Sequence, residues 1–111
     1  MKVEDLIKTL NLTSFTGDTG TDRPVGGGYT CDLLSDVMGH SQAGQVWITL
    51  QTHKNVMAVA SLRDLAAVII VNGLKPNDDM LEQAVEEKIP VLGTYESAFD
   101  VSGKLFKLLE K

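Results

Sequence analysis

The chain has 111 residues, a formal charge of −5, 43% hydrophobic and 23% charged residues, the composition of one globular domain and not of a disordered segment. No cluster of Lys or Arg stands out and aromatic residues make up only 5%, which argues against a nucleic-acid grip built on phosphate contacts and against an anionic membrane surface. A lone cysteine, Cys31, no apolar run approaching ~18 residues and no signal-like segment in MKVEDLIKTL set the expectation of a cytoplasmic protein without a membrane span.

In chain order, Val3, Leu6, Ile7 and Leu10 mark one face of a short amphipathic helix that Asn11 can end. Leu12 to Phe15 reads as a short strand, Thr16 to Gly28 as a polar, glycine-rich loop, and Tyr29 to Leu33 as a second short strand. Leu33, Leu34, Val37 and Met38 repeat at helical spacing, with Asp32 as the expected N-cap and Gly39 as the stop. From Gly44 the pattern is cleaner: strand Val46 to Leu50, helix Asn55 to Leu62 capped by Asn55, strand Ala67 to Val71, then helix Asp78 to Lys88 with Met80, Leu81, Ala84 and Val85 inward. A strand at Val91 to Leu92 and a last helix follow; Thr94 is its expected cap, and Ala98, Phe99, Ser102, Leu105, Phe106 and Leu109 form one face.

Strands that are apolar at every position are buried on both faces, and their alternation with helices implies parallel strands and right-handed crossovers. The expected fold is therefore a three-layer α/β/α sandwich around a mostly parallel sheet of four to five strands, in one domain covering residues 1–111. Helix Asn55 to Leu62 is apolar almost all round, more than one buried stripe needs. A homodimer is the expected cover for the extra face, and another helix of the same chain is the alternative.

Parallel sheets bind ligands beyond the carboxyl ends of their strands. The segments there are Gln51-Thr52-His53-Lys54-Asn55, Asn72-Gly73 and Gly93-Thr94. Thr52, His53, Asn72 and Thr94 are thus candidate ligand-binding residues, His53 because imidazole can donate, accept or titrate near neutral pH. Helix caps, turns and a solvated histidine are the competing readings of the same residues. His40, His53 and Cys31 are widely spaced singles, unlike metal-ligand pairs. No Gly-x-Ser-x-Gly elbow and no Gly-x-x-x-x-Gly-Lys-Ser/Thr loop is present. No metal, cofactor or catalytic residue is expected.

Asp22-Arg23-Pro24-Val25 precedes three consecutive glycines, Gly26 to Gly28, and Tyr29-Thr30-Cys31-Asp32-Leu33-Leu34-Ser35 follows. With Trp47-Ile48-Thr49-Leu50-Gln51-Thr52-His53, Val59-Ala60-Ser61-Leu62 and Thr94-x-x-Ser97-Ala98-Phe99, this run resembles the DRTGG domain family over nearly the whole chain. The sequence departs from the name-giving Asp-Arg-Thr-Gly-Gly in having Pro24-Val25 where the family has a single Thr. The resemblance implies a regulatory or dimer-forming domain of the kind that accompanies CBS domains in some inorganic pyrophosphatases, occurs in extended phosphotransacetylases, and is similar to the N-terminal domain of HPr kinase/phosphorylase. Catalysis in those proteins belongs to other domains, so no catalytic residue carries over. The motif points to Asp22, Arg23, Gly27 and Gly28.

Two jobs fit that motif. Arg23 and the glycine N–H groups could cradle an anion, or the glycines could let the chain pass tightly beneath a neighbour while Asp22 and Arg23 pin the loop. A glycine run without nearby Lys, Ser or Thr is a weak phosphate signal, which favours the structural job. The expected function is a non-catalytic regulatory or ligand-sensing module that binds a nucleotide or small phosphorylated metabolite as a homodimer, with Arg23, Gly27, Gly28, Thr52, His53, Asn72 and Thr94 as the binding candidates. The alternatives are an interaction module that takes a protein partner through the Asn55 to Leu62 face, and a small enzyme using His53 with an acid such as Asp22.

Overall fold

A computed structural model describes residues 1–110. The elements run α1 (Val3–Thr9), β1 (Thr13–Ser14), β2 (Gly27–Thr30), α2 (Leu34–His40), β3 (Gln45–Thr49), α3 (Asn55–Leu62), β4 (Ala67–Ile70), α4 (Asp78–Glu87), β5 (Val91–Gly93) and α5 (Ala98–Leu109). The sheet order is β1-β5-β4-β3-β2. β2 to β5 are parallel neighbours, and β1 pairs antiparallel with β5, Thr13 opposite Gly93.

Helices α2, α3 and α4 join parallel strands that are consecutive neighbours, so right-handed crossovers put all three on one face. α5 follows the last parallel strand and crosses to the other face, where it packs on β2 and β3. The strands divide their side chains between the two layers by the two-residue period. Val46, Ile48, Ala67, Ile69 and Leu92 join Val3 and Leu6 of α1 and Val101 and Leu105 of α5. Trp47, Val68, Ile70 and Val91 join Val37, Val56, Met57, Ala60, Met80 and Ala84 of the three crossover helices. The α/β/α sandwich with a mostly parallel, five-stranded sheet is the architecture expected from the alternation.

Several local expectations are corrected. Gly27 and Gly28 are strand residues, not loop. Leu33, not Asp32, occupies the N-cap of α2, and Gly39 lies inside that helix. Asn55 is the first helical residue of α3, with Lys54 at its N-cap and no side-chain cap bond. Ser97, not Thr94, caps α5 and accepts a hydrogen bond from Asp100 N. Val85 of α4 and Phe99 and Phe106 of α5 face outward. The extra apolar surface of α3 is covered within the chain, by α2 on one side and α4 on the other, although Leu62 stays exposed. The apolar sides of α3 that a homodimer was expected to cover are thus already met by its neighbouring helices.

The glycine run has a packing explanation. Gly26 N donates to Gly44 O (2.9 Å), opening the β2–β3 pairing. Leu105 of α5 lies so close to Gly28 that a Cβ there would sit 2.8 Å from its Cδ2. Removing the side chain from the strand lets the helix settle directly on its backbone. Thr30 and Ser102 share a hydrogen bond across the same contact (2.7 Å).

Candidate functional site

The loops leaving the parallel strands at their carboxyl ends are joined to one another in a row. After β2, the Asp32 carboxylate accepts from Thr49 Oγ1 (2.8 Å) and Leu50 N (2.7 Å), while Asp32 O accepts from Gln51 Nε2 (2.9 Å). The loop after β3 is held in turn by the loop after β4. Asn77 N donates to Thr52 O (3.0 Å), and Asn77 Nδ2 lies 3.2 Å from His53 Nδ1.

The loop after β4 opens with a tight turn in which Leu74 N donates to Val71 O (3.2 Å). Asn72 (φ 60°) and Gly73 (φ 70°) are both left-handed, the conformation of a type I′ turn, for which Asn-Gly is the preferred pair. This turn is stitched to the loop after β5: Asn72 N donates to Glu96 O (3.0 Å) and Gly73 N to Thr94 O (2.9 Å). Thr94 Oγ1 accepts from Glu96 N (3.2 Å).

On this row the ring of Tyr95 lies over Gly73, where a Cβ would fall 2.7 Å from Tyr95 Cδ1. Tyr95 as a residue is nevertheless 87% exposed. Beside it a hollow of about 280 Å³ is lined by Phe15, Lys75, Thr94 and Tyr95 among others. Thr94 also lines a second hollow, of about 460 Å³, whose wall includes Asn11, Glu96 and Lys104; Lys104 Nζ pairs with Glu96 Oε1 at 2.6 Å. An exposed aromatic face, a lysine and loop backbone held in fixed positions can stack on a flat ring and neutralise an anion.

Of the residues picked from sequence, the structure gathers Thr52, His53, Asn72 and Thr94 on this rim. Thr94 lines the hollows, whereas Thr52 and His53 stand further along the row beside Asn77. Arg23, Gly27 and Gly28 lie elsewhere. Arg23 Nε donates to Lys88 O (2.8 Å) and Nη1 reaches Asp64 Oδ1 (3.3 Å). Those are the turns that lead into β5 and β4, so Arg23 sits at the amino ends of the strands. The preceding loop also serves α1, whose Val3 and Glu4 N–H groups donate to Arg23 O and Thr21 O (2.9 Å each). Gly27 and Gly28 belong to β2, at the sheet edge. His53 and Asp22 are at opposite ends of the sheet, so the acid–base pair of the enzyme reading is not assembled.

Tyr95, Lys75 and Phe15 are absent from the binding candidates that the sequence offers, Phe15 entering there only as the end of a strand. An aromatic between Thr94 and Glu96, in a polar loop directly after a buried strand, was the available signal for Tyr95. The ionisations that depart from ordinary values belong to another place, the β2–α2 contact. There Tyr29 Oη donates to Asp36 Oδ2 (2.5 Å). That bond, then burial and the neighbouring carboxylate charge, push Tyr29 up to about 12; the same bond holds Asp36 below its ordinary value, against the effect of burial.

The fold is shared with a solved structure, the CBS and DRTGG domains of the regulatory region of Clostridium perfringens pyrophosphatase, complexed with its activator diadenosine tetraphosphate. The TM-score is 0.67 at 14% sequence identity, over 94% of this chain and 45% of that one, so this chain spans less than half the length of its neighbour. No family model and no curated protein matches the sequence. At this identity the likeness establishes the fold: a mixed α/β architecture of the kind found in a regulatory region that carries a DRTGG domain.

Proposed function

We propose that residues 1–111 act as one regulatory, ligand-sensing domain of the DRTGG type, which binds a nucleotide or another small phosphorylated metabolite at the carboxyl rim and does no chemistry on it. The observation that carries this reading is the exposed Tyr95 ring held on Gly73, with Lys75 and Thr94 around the adjoining hollow. A base can stack on the ring while the lysine meets a phosphate. The shared fold with a regulatory region complexed with a nucleotide activator supports the ligand class. Asp22, Arg23, Gly27 and Gly28 keep a structural part in this reading.

The test is a thermal-shift panel at fixed protein concentration and salt, using ATP, diadenosine tetraphosphate, acetyl phosphate and inorganic phosphate. A ligand at ~100 times its Kd adds about 2.7 kcal/mol, which raises the midpoint of a domain of this size by roughly 10 °C. Tyr95→Ala and Lys75→Ala are expected to lose the shift without lowering the unliganded midpoint, because both side chains lie on the surface of the rim. Arg23→Ala is expected to lower the midpoint and keep the shift. A panel with no response from a cooperatively melting protein overturns the reading.

A further inference from the structure

Two hollows of the carboxyl rim share Thr13, Gly93, Thr94 and Tyr95 and differ in the rest of their walls. Among the described residues, the hollow on the Phe15 side is walled by one lysine, Lys75, and by no acid. Both of its aromatics rest on glycines of a neighbouring segment: a Cβ at Gly93 would fall 2.5 Å from Phe15 Cε2, and one at Gly73 2.7 Å from Tyr95 Cδ1. The other hollow has a single acid, Glu96, and a single base, Lys104. Glu96 is fixed at three points. Its N–H donates to Thr94 Oγ1 (3.2 Å), its carbonyl accepts from Asn72 N (3.0 Å), and its Oε1 meets Lys104 Nζ at 2.6 Å. An exposed ion pair adds little to stability; what this one does is hold the carboxylate in place. One lysine uses only part of the acceptor capacity of a carboxylate, and the Glu96 side chain is still 30% exposed. An acid on an anion-binding rim repels phosphate on its own side and accepts there from a hydroxyl.

We infer, on the nucleotide reading of the rim proposed above, that Glu96 reads the sugar: its carboxylate accepts from the 2′- or 3′-hydroxyl of a ribose, so the rim selects ribonucleotides over nucleotides that lack those hydroxyls. The two walls order the parts of such a ligand. The base takes the aromatic pair, Phe15 and Tyr95, and the phosphates take Lys75, the cation of the hollow without an acid. The ribose joins base to phosphate and so lies over Thr94 and Tyr95, the stretch common to both hollows. In a ribonucleotide the base and the 5′ carbon stand on one face of the furanose, and the 2′- and 3′-hydroxyls on the other. A sugar that turns its base and phosphates toward Phe15 and Lys75 therefore turns its hydroxyls into the hollow of Glu96. An acid at the ribose hydroxyl is the arrangement that dinucleotide-binding folds also use. The base itself is out of reach, because Glu96 takes no part in the wall of the aromatic hollow. Lys104 is a positioning residue: it touches the carboxylate and not the sugar, and its charge offsets the repulsion between Glu96 and the phosphates.

Isothermal titration of the full chain with ATP and with 2′,3′-dideoxy-ATP, at one salt concentration, tests this. The parent is expected to bind ATP about tenfold more tightly, the loss that follows when a hydrogen bond to a partly exposed carboxylate is removed. Glu96→Ala is expected to bind the two nucleotides alike, and Glu96→Gln, of equal size and without the charge, to narrow the gap. Lys104→Met loses most of the preference, whereas Lys104→Arg keeps it; a lysine with only a structural part would move the melting midpoint and leave the ratio of the two affinities as it was. A parent that binds neither nucleotide overturns the reading of the rim and this inference with it. A parent that binds both alike, or a preference that survives Glu96→Ala, overturns the inference alone and leaves the reading of the rim standing.

Discussion

Tyr29 and Asp36 share one short hydrogen bond, and it ties their titrations to folding. Asp36 has a lowered value in the fold, so its contribution is present above its ordinary 3.8 and is lost as pH falls through the lower folded value. Tyr29 moves the other way, from 10.0 to about 12. Its contribution is full below pH 10 and disappears as pH rises from there through about 12. The bond therefore supports the fold between the two limits. Cys31 and His40 are the other groups that act on Asp36, His40 through Nδ1 at 3.3 Å. Tyr29→Phe is expected to lower the urea midpoint at pH 7 and to flatten both the acid fall below pH 4 and the alkaline fall between pH 10 and 12, relative to the parent. Equal pH profiles for parent and variant would show that the bond does not act on stability.

At the scale of elements, the seating of α5 on β2 is decided by the absence of a side chain at Gly28. A methyl there would crowd Leu105 Cδ2 at 2.8 Å, whereas at Gly26 its nearest neighbour is Gly44 O at 3.8 Å. Gly28→Ala is expected to cost about 1–2 kcal/mol, overpacking outweighing the entropy removed from the unfolded chain. Gly26→Ala is expected to be neutral or to stabilise by up to ~1 kcal/mol. The double variant Gly28→Ala/Leu105→Ala costs less than the sum of its parts, because one removes the clash of the other; strictly additive urea-derived values would place the strain elsewhere. The same contact explains what sequence patterning could and could not reveal. From Gln45 onward, strands apolar at every position and helices between them made the parallel sheet readable. β2 was readable only in part, since Gly27 and Gly28 have poor strand propensity and are strand through pairing with Gln45 and Val46. In α5, core residues and outward phenylalanines are equally apolar, so periodicity merged two stripes into one. The rim loops were found by the rule for parallel strands. The role of Tyr95 depends on a turn of the neighbouring loop passing beneath its ring, a contact between chain segments that no local pattern encodes.

For the molecule as a whole, the central strands belong to both layers. In β3, Val46 and Ile48 face α1 and α5, while Trp47 faces the crossover helices. All four parallel strands wind in one direction, with α2, α3 and α4 on one face, so the carboxyl rim is a continuous row of joined loops and not a crevice opened by a reversal of strand order. Neither helical layer can be lost without exposing an apolar face of strands the other layer needs. Leu105→Ala on one face and Met57→Ala on the other each remove a buried side chain and are expected to cost about 2–5 kcal/mol, a large part of the ~5–15 kcal/mol that holds such a domain. The single tryptophan, Trp47, is fully buried on the Met57 side and its Nε1 donates to Cys31 O (2.7 Å), so its fluorescence reports that layer alone. If the sheet couples the layers, Leu105→Ala shifts the Trp47 urea transition as far as it shifts the far-UV circular dichroism transition, although the substitution lies across the sheet. A Trp47 transition that stays in place while the dichroism moves would mean that the α1–α5 layer melts by itself. Coincident transitions mean that loss of α5 from β2 takes the rim loops with it, because both hang on the same four strands.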